Sequence, residues 1–115
     1  MRIGFIGLGN VGGKLAGSLL RNNFNLIVRD LDNEITKKFS KQGALVANTS
    51  KDLAEKSDLI ITCLPSPEIC SKVMEGKDGV IKGLTKNKIW LEMSTTDSDE
   101  VKRIGVLVKE TGAIP

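Results

Sequence analysis

The chain opens on an unbroken apolar run, IGFI at 3–6, and then changes period: Val11, Leu15, Ala16, Leu19 and Leu20 recur at helical spacing. An unbroken run reads as a strand buried on both faces, and the wider recurrence as a helix with one packed side. Between them lies GLGNVG at 7–12, so strand gives way to helix across the glycines themselves. Phe24, Leu26, Ile27 and Val28 then read as a second strand ending at Arg29 and Asp30. Asp32, Asn33 and Glu34 cap a short helix with Ile35 and Phe39 on its inner face, and Gly43 ends it. Leu45 and Val46 make a brief third strand, and TSKD at 49–52 is a capping signal ahead of inward-facing Leu53 and Ala54.

DLIITCL at 58–64 is the clearest buried strand after the first. Ser66 as cap and Pro67 in the first helical position start a helix bearing Ile69 and Val73, and Gly76, Gly79 and Gly83 punctuate the stretch before a fifth strand at 88–93. STTDS at 94–98 is a polar turn. Val101, Ile104, Leu107 and Val108 give a last helix that stops near Gly112, and Ala113, Ile114 and Pro115 open a sixth strand. This alternation predicts an α/β fold: a doubly wound parallel sheet in the order 3-2-1-4-5, built as one domain over 1–115. Ligands of such sheets bind beyond the carboxyl ends of the strands, where the order reverses, here between strands one and four. The glycine loop, Asp30, LPS at 64–66 and STT at 94–96 are expected to meet there.

The glycines carry the first candidate chemistry. A sharp strand-to-helix bend needs one residue tolerant of unusual dihedrals, a second without a side chain so that a phosphate can approach, and a third that lets helix and strand pack closely. Gly7, Gly9 and Gly12 suit those jobs in that order. The first N–H groups of the helix lack intrahelical acceptors and lie at the positive end of its dipole, a ready site for a pyrophosphate. Asp30 follows Gly9 by 21 positions, about where a dinucleotide fold places the acid that accepts from the adenosine ribose. An acid there favours NAD; NADP ranks second, since its 2′-phosphate meets a like charge unless Arg29 compensates.

Composition narrows the reading further. Aromatic residues make up only 3% of the 115, so the core is aliphatic, as suits a parallel sheet under helices. The net charge is +3, but the 17 basic residues interleave with 14 acids and no aromatic platform accompanies them, which argues against nucleic acid. With no His and only Cys63 and Cys70, neither a metal site nor a disulfide framework is expected. The two thiols and Trp90 read as packing groups in a reducing compartment. No apolar run approaches a membrane span and the first strand begins at once, so the expectation is a cytoplasmic protein with no signal peptide and no membrane partner.

Four segments in register, GFIGLGNVGGKLAGSLL at 4–20, VRDLDNE at 28–34, ITCLPSPE at 61–68 and LEMSTTDSDE at 91–100, resemble the N-terminal domain of the β-hydroxyacid dehydrogenases. That group includes 3-hydroxyisobutyrate dehydrogenase, tartronate semialdehyde reductase and glyoxylate/succinic semialdehyde reductase. The resemblance covers the whole chain and implies a Rossmann domain. Its implied function is hydride transfer between a nicotinamide cofactor and a small 3-hydroxy acid or semialdehyde, in an intact enzyme that is a homo-oligomer. It implies that Gly7, Leu8, Gly9, Asn10, Val11 and Gly12 bind the pyrophosphate and that Asp30 sits at the adenosine ribose. Leu64 and Pro65 would line the adenosine side, Thr95 would lie near the nicotinamide ribose, and Ser94 with Thr95 would border the substrate carboxylate.

Departures from the family pattern bear on the cofactor and on catalysis. Val11 stands where the family has Met, and Asp30 with Leu31 stands where NADP-dependent relatives carry Asn followed by Arg. The family's Ser-Gly-Gly substrate loop, catalytic Lys and Asn partner are expected beyond residue 115, so no catalytic residue is assigned within the chain, and the chain alone is expected to be inactive. Lys14 and Glu92 are the nearest proton acceptors, more readily read as a solvated helix residue and a loop anchor. Plainer roles remain open for the others: Asp30 as a strand-end acid, Ser94 and Thr95 as helix caps, Leu64 and Pro65 as a strand terminator. A stand-alone nucleotide sensor or scaffold is the alternative to the enzyme.

Overall fold

The central strands of this chain are apolar on both sides because each of their faces meets a helical layer. The computed structural model describes residues 1–93 and 98–115. Its parallel strands are β1 (Arg2–Ile6), β2 (Asn25–Arg29), β3 (Leu45–Val46), β4 (Leu59–Thr62) and β5 (Ile89–Glu92). They pair in the order β3-β2-β1-β4-β5, the doubly wound arrangement expected from the alternating pattern. The helices are α1 (Asn10–Arg21), α2 (Asn33–Lys41), α3 (Ser50–Glu55), α4 (Pro67–Glu75) and α5 (Ser98–Glu110).

Successive strand residues divide between two cores, as the two-residue period of a strand requires. Ile3, Phe5, Leu26, Val28 and Ile61 pack with Ala16 of α1 and Phe39 of α2. Ile6, Ile27, Ile60 and Trp90 pack on the other side with Leu53, Cys70, Met74, Ile104 and Val108 from α3, α4 and α5. At Gly4, α3 presses so close that an added Cβ would strike the Leu53 and Ser57 side chains. On β5 the face opposite Trp90 is different: Ile89, Leu91 and Met93 are exposed, and no helix among the described residues covers them.

Local signals account for most boundaries. Asp32 accepts from the Glu34 N–H (3.0 Å), Thr49 from Asp52 (3.0 Å) and Ser66 from Ile69 (3.2 Å), each capping its helix as the sequence predicts. The fourth strand ends at Thr62 rather than at residue 64. The α4 reading also shifts: Cys70 and Met74 form its buried face, while Ile69 is half exposed. A 3₁₀ turn, Val80–Gly83, fills the glycine-punctuated stretch, and Gly83 lies where a Cβ would strike the Lys51 carbonyl. The expected sixth strand is reduced to one bridge between Ile89 and Ile114, with Trp90 N–H donating to the Ile114 carbonyl at 2.8 Å.

Two charged groups fasten elements that are distant in sequence. The Lys88 ammonium donates to the carbonyls of Ala54 (2.8 Å), Glu55 (2.9 Å) and Ser57 (2.5 Å), closing the C-terminal end of α3. Arg103 of α5 reaches Glu75 of α4 through two parallel hydrogen bonds (2.8 and 2.5 Å) and Glu100 at 2.7 Å. The Arg103 guanidinium, with help from Ser71, holds the Glu75 carboxyl down to about 2.

Two outcomes follow from these contacts. Lys88→Met, which keeps the stem and removes the charge, is expected to destabilise the fold by about 1.5–3 kcal/mol in urea denaturation, the scale of hydrogen bonds to a charged group. Because the Glu75 carboxyl is depressed, its contribution is complete above the ordinary carboxylate range and is lost as pH falls toward about 2. Wild-type Tm should therefore drop between pH 4.5 and 2 more steeply than that of Arg103→Met; parallel curves would show the pair to be silent.

Candidate functional site

The site is built at the bend between β1 and α1, at the carboxyl edge of the sheet. Gly7 adopts φ 99°, a left-handed conformation, and an added Cβ there would strike the Cys63 carbonyl at the end of β4. Its N–H donates to the Arg29 carbonyl at 3.1 Å, so the bend is tied to β2 as well. Gly12 packs so tightly that a Cβ would overlap the Gly7 carbonyl oxygen. Around Gly9 the opposite holds: a Cβ would meet nothing within 4 Å. Two glycines are thus demanded by the fold, and the third borders open space.

Helix α1 starts without a side-chain cap, on Gly9, and has no acid in its first turn. The first amide to find an intrahelical partner is Gly13, which donates to the Gly9 carbonyl at 2.6 Å. The N–H groups of Asn10, Val11 and Gly12 precede it, at the positive end of the helix dipole. A group with negatively charged oxygens fits here, with backbone donors and no competing carboxylate in the first turn.

Asp30 flanks the bend and also holds it. Its Oδ2 accepts from the Leu8 N–H at 2.7 Å and its Oδ1 from the Asp32 N–H at 2.9 Å. Each oxygen keeps a further lone pair, so the carboxylate can still accept from hydroxyls of a ligand. Arg29, which the sequence leaves free to offset a second negative group, donates instead to the carbonyls of Ala47 and Asn48 (3.5 and 2.5 Å). Leu31 is 89% exposed.

Two clefts meet over the bend. The larger, about 610 Å³, runs from Gly7 and Asp30 past Leu64 and Pro65 to Ile69, Lys72 and Val73 of α4. Its walls are mainly aliphatic, with Arg29, Lys72 and Lys77 as cations and Thr49 and Ser50 as hydroxyl residues. The smaller, about 380 Å³, is framed by Gly7, Gly9, Asn10, Val11, Gly12, Cys63, Leu64, Pro65 and Met93. Leu64 and Pro65 border both. Ile69 and Val73, expected only as helix-packing residues, form a wall of the larger cleft, and Lys72, Lys77, Cys63 and Met93 are lining residues that no sequence motif marks as such. An i, i+4 apolar pair beside a buried one, Cys70 and Met74, is the signal that finds the α4 wall.

The remaining candidates separate from the clefts. Lys14 is exposed on α1 and lines neither cleft. Glu92 turns its carboxylate to the Thr62 hydroxyl (2.8 Å) and the Cys70 thiol (3.1 Å). Ser94 and Thr95 lie outside the described residues. Cys63 and Cys70 are free thiols; burial, then the Glu92 charge, pushes Cys63 up. Among the described residues no cluster of His, Cys, Asp or Glu could hold a metal, and no helix is long and apolar enough to cross a membrane.

Over residues 2–114 the chain matches the family described as the NAD binding domain of 6-phosphogluconate dehydrogenase. It is similar to the mitochondrial 3-hydroxyisobutyrate dehydrogenase of Rattus norvegicus, 37% identical over 97% of this chain and 33% of the relative. The fold is that of the Mycobacterium tuberculosis 3-hydroxyisobutyrate dehydrogenase solved with L-serine (TM-score 0.86, 20% identity, 98% of this chain and 38% of that one). A Myxococcus stipitatus imine reductase in complex with NADP+ has the same fold (TM-score 0.88, 18% identity, 99% and 39%). The chain spans about a third of the length of the curated relatives it matches.

The unequal surroundings of the glycines yield a direct check. Gly9→Val should leave thermal stability nearly unchanged, whereas Gly12→Val should cost about 3 kcal/mol or fail to fold, since its side chain must displace backbone. Equal losses in the two variants would contradict the open space at Gly9.

Proposed function

Because the chain belongs to the family of 6-phosphogluconate dehydrogenase NAD-binding domains, we propose that it is the cofactor-holding part of an NAD-dependent oxidoreductase. That enzyme would transfer a hydride between the nicotinamide and a small 3-hydroxy acid or its semialdehyde. The observation that carries the reading is the bend itself: Gly7 and Gly12 are filled against backbone while Gly9 faces open space beside uncapped helix amides. Relatives roughly three times as long, named as dehydrogenases, favour this over a stand-alone sensor or scaffold.

In this reading residues 1–115 form the dinucleotide-binding domain. Gly7, Leu8, Gly9, Asn10, Val11 and Gly12 form the pyrophosphate loop: the amides of Asn10, Val11 and Gly12 are the donors, while those of Gly7 and Leu8 hold the loop to Arg29 and Asp30. Asp30 accepts from the adenosine ribose hydroxyls with the lone pairs that Leu8 and Asp32 leave. Leu64 and Pro65, with Ile69 and Val73, give the adenine an aliphatic slot. Thr95 is assigned to the nicotinamide ribose, and Ser94 with Thr95 to the substrate carboxylate. The bound cofactor supplies the hydride chemistry. This chain's own residues orient the carrier and keep carboxylates away from its phosphates. The proton acceptor is assigned to a lysine outside these 115 residues. Two unpaired thiols fit a reducing compartment, and we place the protein in the cytoplasm. The intact enzyme is proposed to be a homo-oligomer.

NAD is preferred over NADP because Asp30 presents a charge where the 2′-phosphate would lie, Leu31 offers no cation, and Arg29 is engaged by backbone carbonyls. Calorimetry with NADH and NADPH should rank NADH tighter. Asp30→Asn, which keeps one acceptor for the loop, should narrow the gap by about tenfold, roughly 1.4 kcal/mol. A tighter NADPH complex in the wild type would overturn the assignment.

A further inference from the structure

Glu92 ends β5 on the face turned away from Leu91 and Met93, toward α4. Its Oε2 accepts from the Thr62 hydroxyl at 2.8 Å and from the Cys70 thiol at 3.1 Å. The fully buried Thr62 hydroxyl accepts in turn from the Trp90 indole N–H at 3.0 Å, and the Thr62 carbonyl from the Met93 N–H at 2.8 Å. Burial, reinforced by the hydrogen bond to Glu92, pushes the Cys70 thiol up to about 12, so it remains a donor throughout the physiological range. The tie joins β4, β5 and α4 at the edge of the sheet where both clefts open.

The partners depend on this tie unequally. Helix α4 is fixed independently by its Ser66 cap, by burial of Cys70 and Met74 and by the Glu75–Arg103 pair. The end of β5 has less to hold it, because Leu91 and Met93 on its other face are 44% and 43% exposed. Met93, the residue after Glu92, is a wall of the smaller cleft, alongside Gly9 and Cys63. The larger cleft has no lining residue from β5.

We propose that Glu92 is a positioning residue for the nicotinamide half of the cofactor: its carboxylate fixes the end of β5, and with it Met93, while the adenosine end is set without it. This rests on the dinucleotide reading above. The two halves can be separated by ligand, with 5′-AMP reporting the adenosine cleft and NADH reporting both.

Calorimetry on the 115-residue chain should compare the wild type with Glu92→Met, Glu92→Gln and Thr62→Val. Glu92→Met and Thr62→Val are expected to weaken NADH about tenfold, the scale of one hydrogen bond to a charged group, and 5′-AMP by less than about twofold. Glu92→Gln keeps an acceptor oxygen and should recover most of the NADH affinity. Equal losses for both ligands in Glu92→Met and Thr62→Val would mark a general structural role and overturn the proposal, as would unchanged NADH affinity in those two variants. If Glu92→Met does not fold, Thr62→Val decides by the same ratio. A wild type that binds neither ligand would instead remove the dinucleotide reading, and this proposal with it.

Discussion

Contact between backbone and backbone at the first bend governs this domain. The Gly12 Cα lies against the Gly7 carbonyl, and the Gly7 Cα against the Cys63 carbonyl, so β1, β4 and α1 meet with no side chain between them. That closeness brings the start of α1 over the carboxyl edge of the sheet. It also places the first turn of the helix in the wall of the smaller cleft. The fold needs Gly7 and Gly12, and the uncapped start of α1 follows from that packing, in a place where an anionic group would fit.

Asp30 extends the same logic. A carboxylate at the end of β2 is required twice, once by the loop, through Leu8, and once by the turn into α2, through Asp32. Its charge is therefore held in one place before any ligand arrives, and a ribose would meet a preorganised acceptor. Arg29 donates to the Ala47 and Asn48 carbonyls, binding the strand to the loop after β3. Neighbours in sequence thus border the same cleft with different ties, Asp30 to the loop and Arg29 to the frame.

The strand order and the bend were legible because changes in hydrophobic period and glycine spacing are direct imprints of backbone geometry. The caps at Asp32, Thr49 and Ser66 could likewise be read, each being a local hydrogen bond within three residues. What escaped depends on contacts across the sequence. Ile69 with Val73 and Cys70 with Met74 have the same spacing, and only the helix's azimuth decides which pair meets the core. Asp30's amide partners are backbone groups, which leave no mark in the choice of side chain. The Val80–Gly83 turn has too few residues to show a period, although Val80 and Leu84 both reach the core. Ser94 and Thr95, named from resemblance, lie outside the described residues.

Lys88 has a consequence for how the polypeptide comes into being. Helix α3 is six residues long, too short to persist alone in water, and its terminal carbonyls are satisfied by an ammonium that lies 31 to 34 positions downstream. On the ribosome, the segment through β4 therefore emerges before the group that finishes it. The C-terminal end of α3 can be closed in this way only once Lys88 has been synthesised.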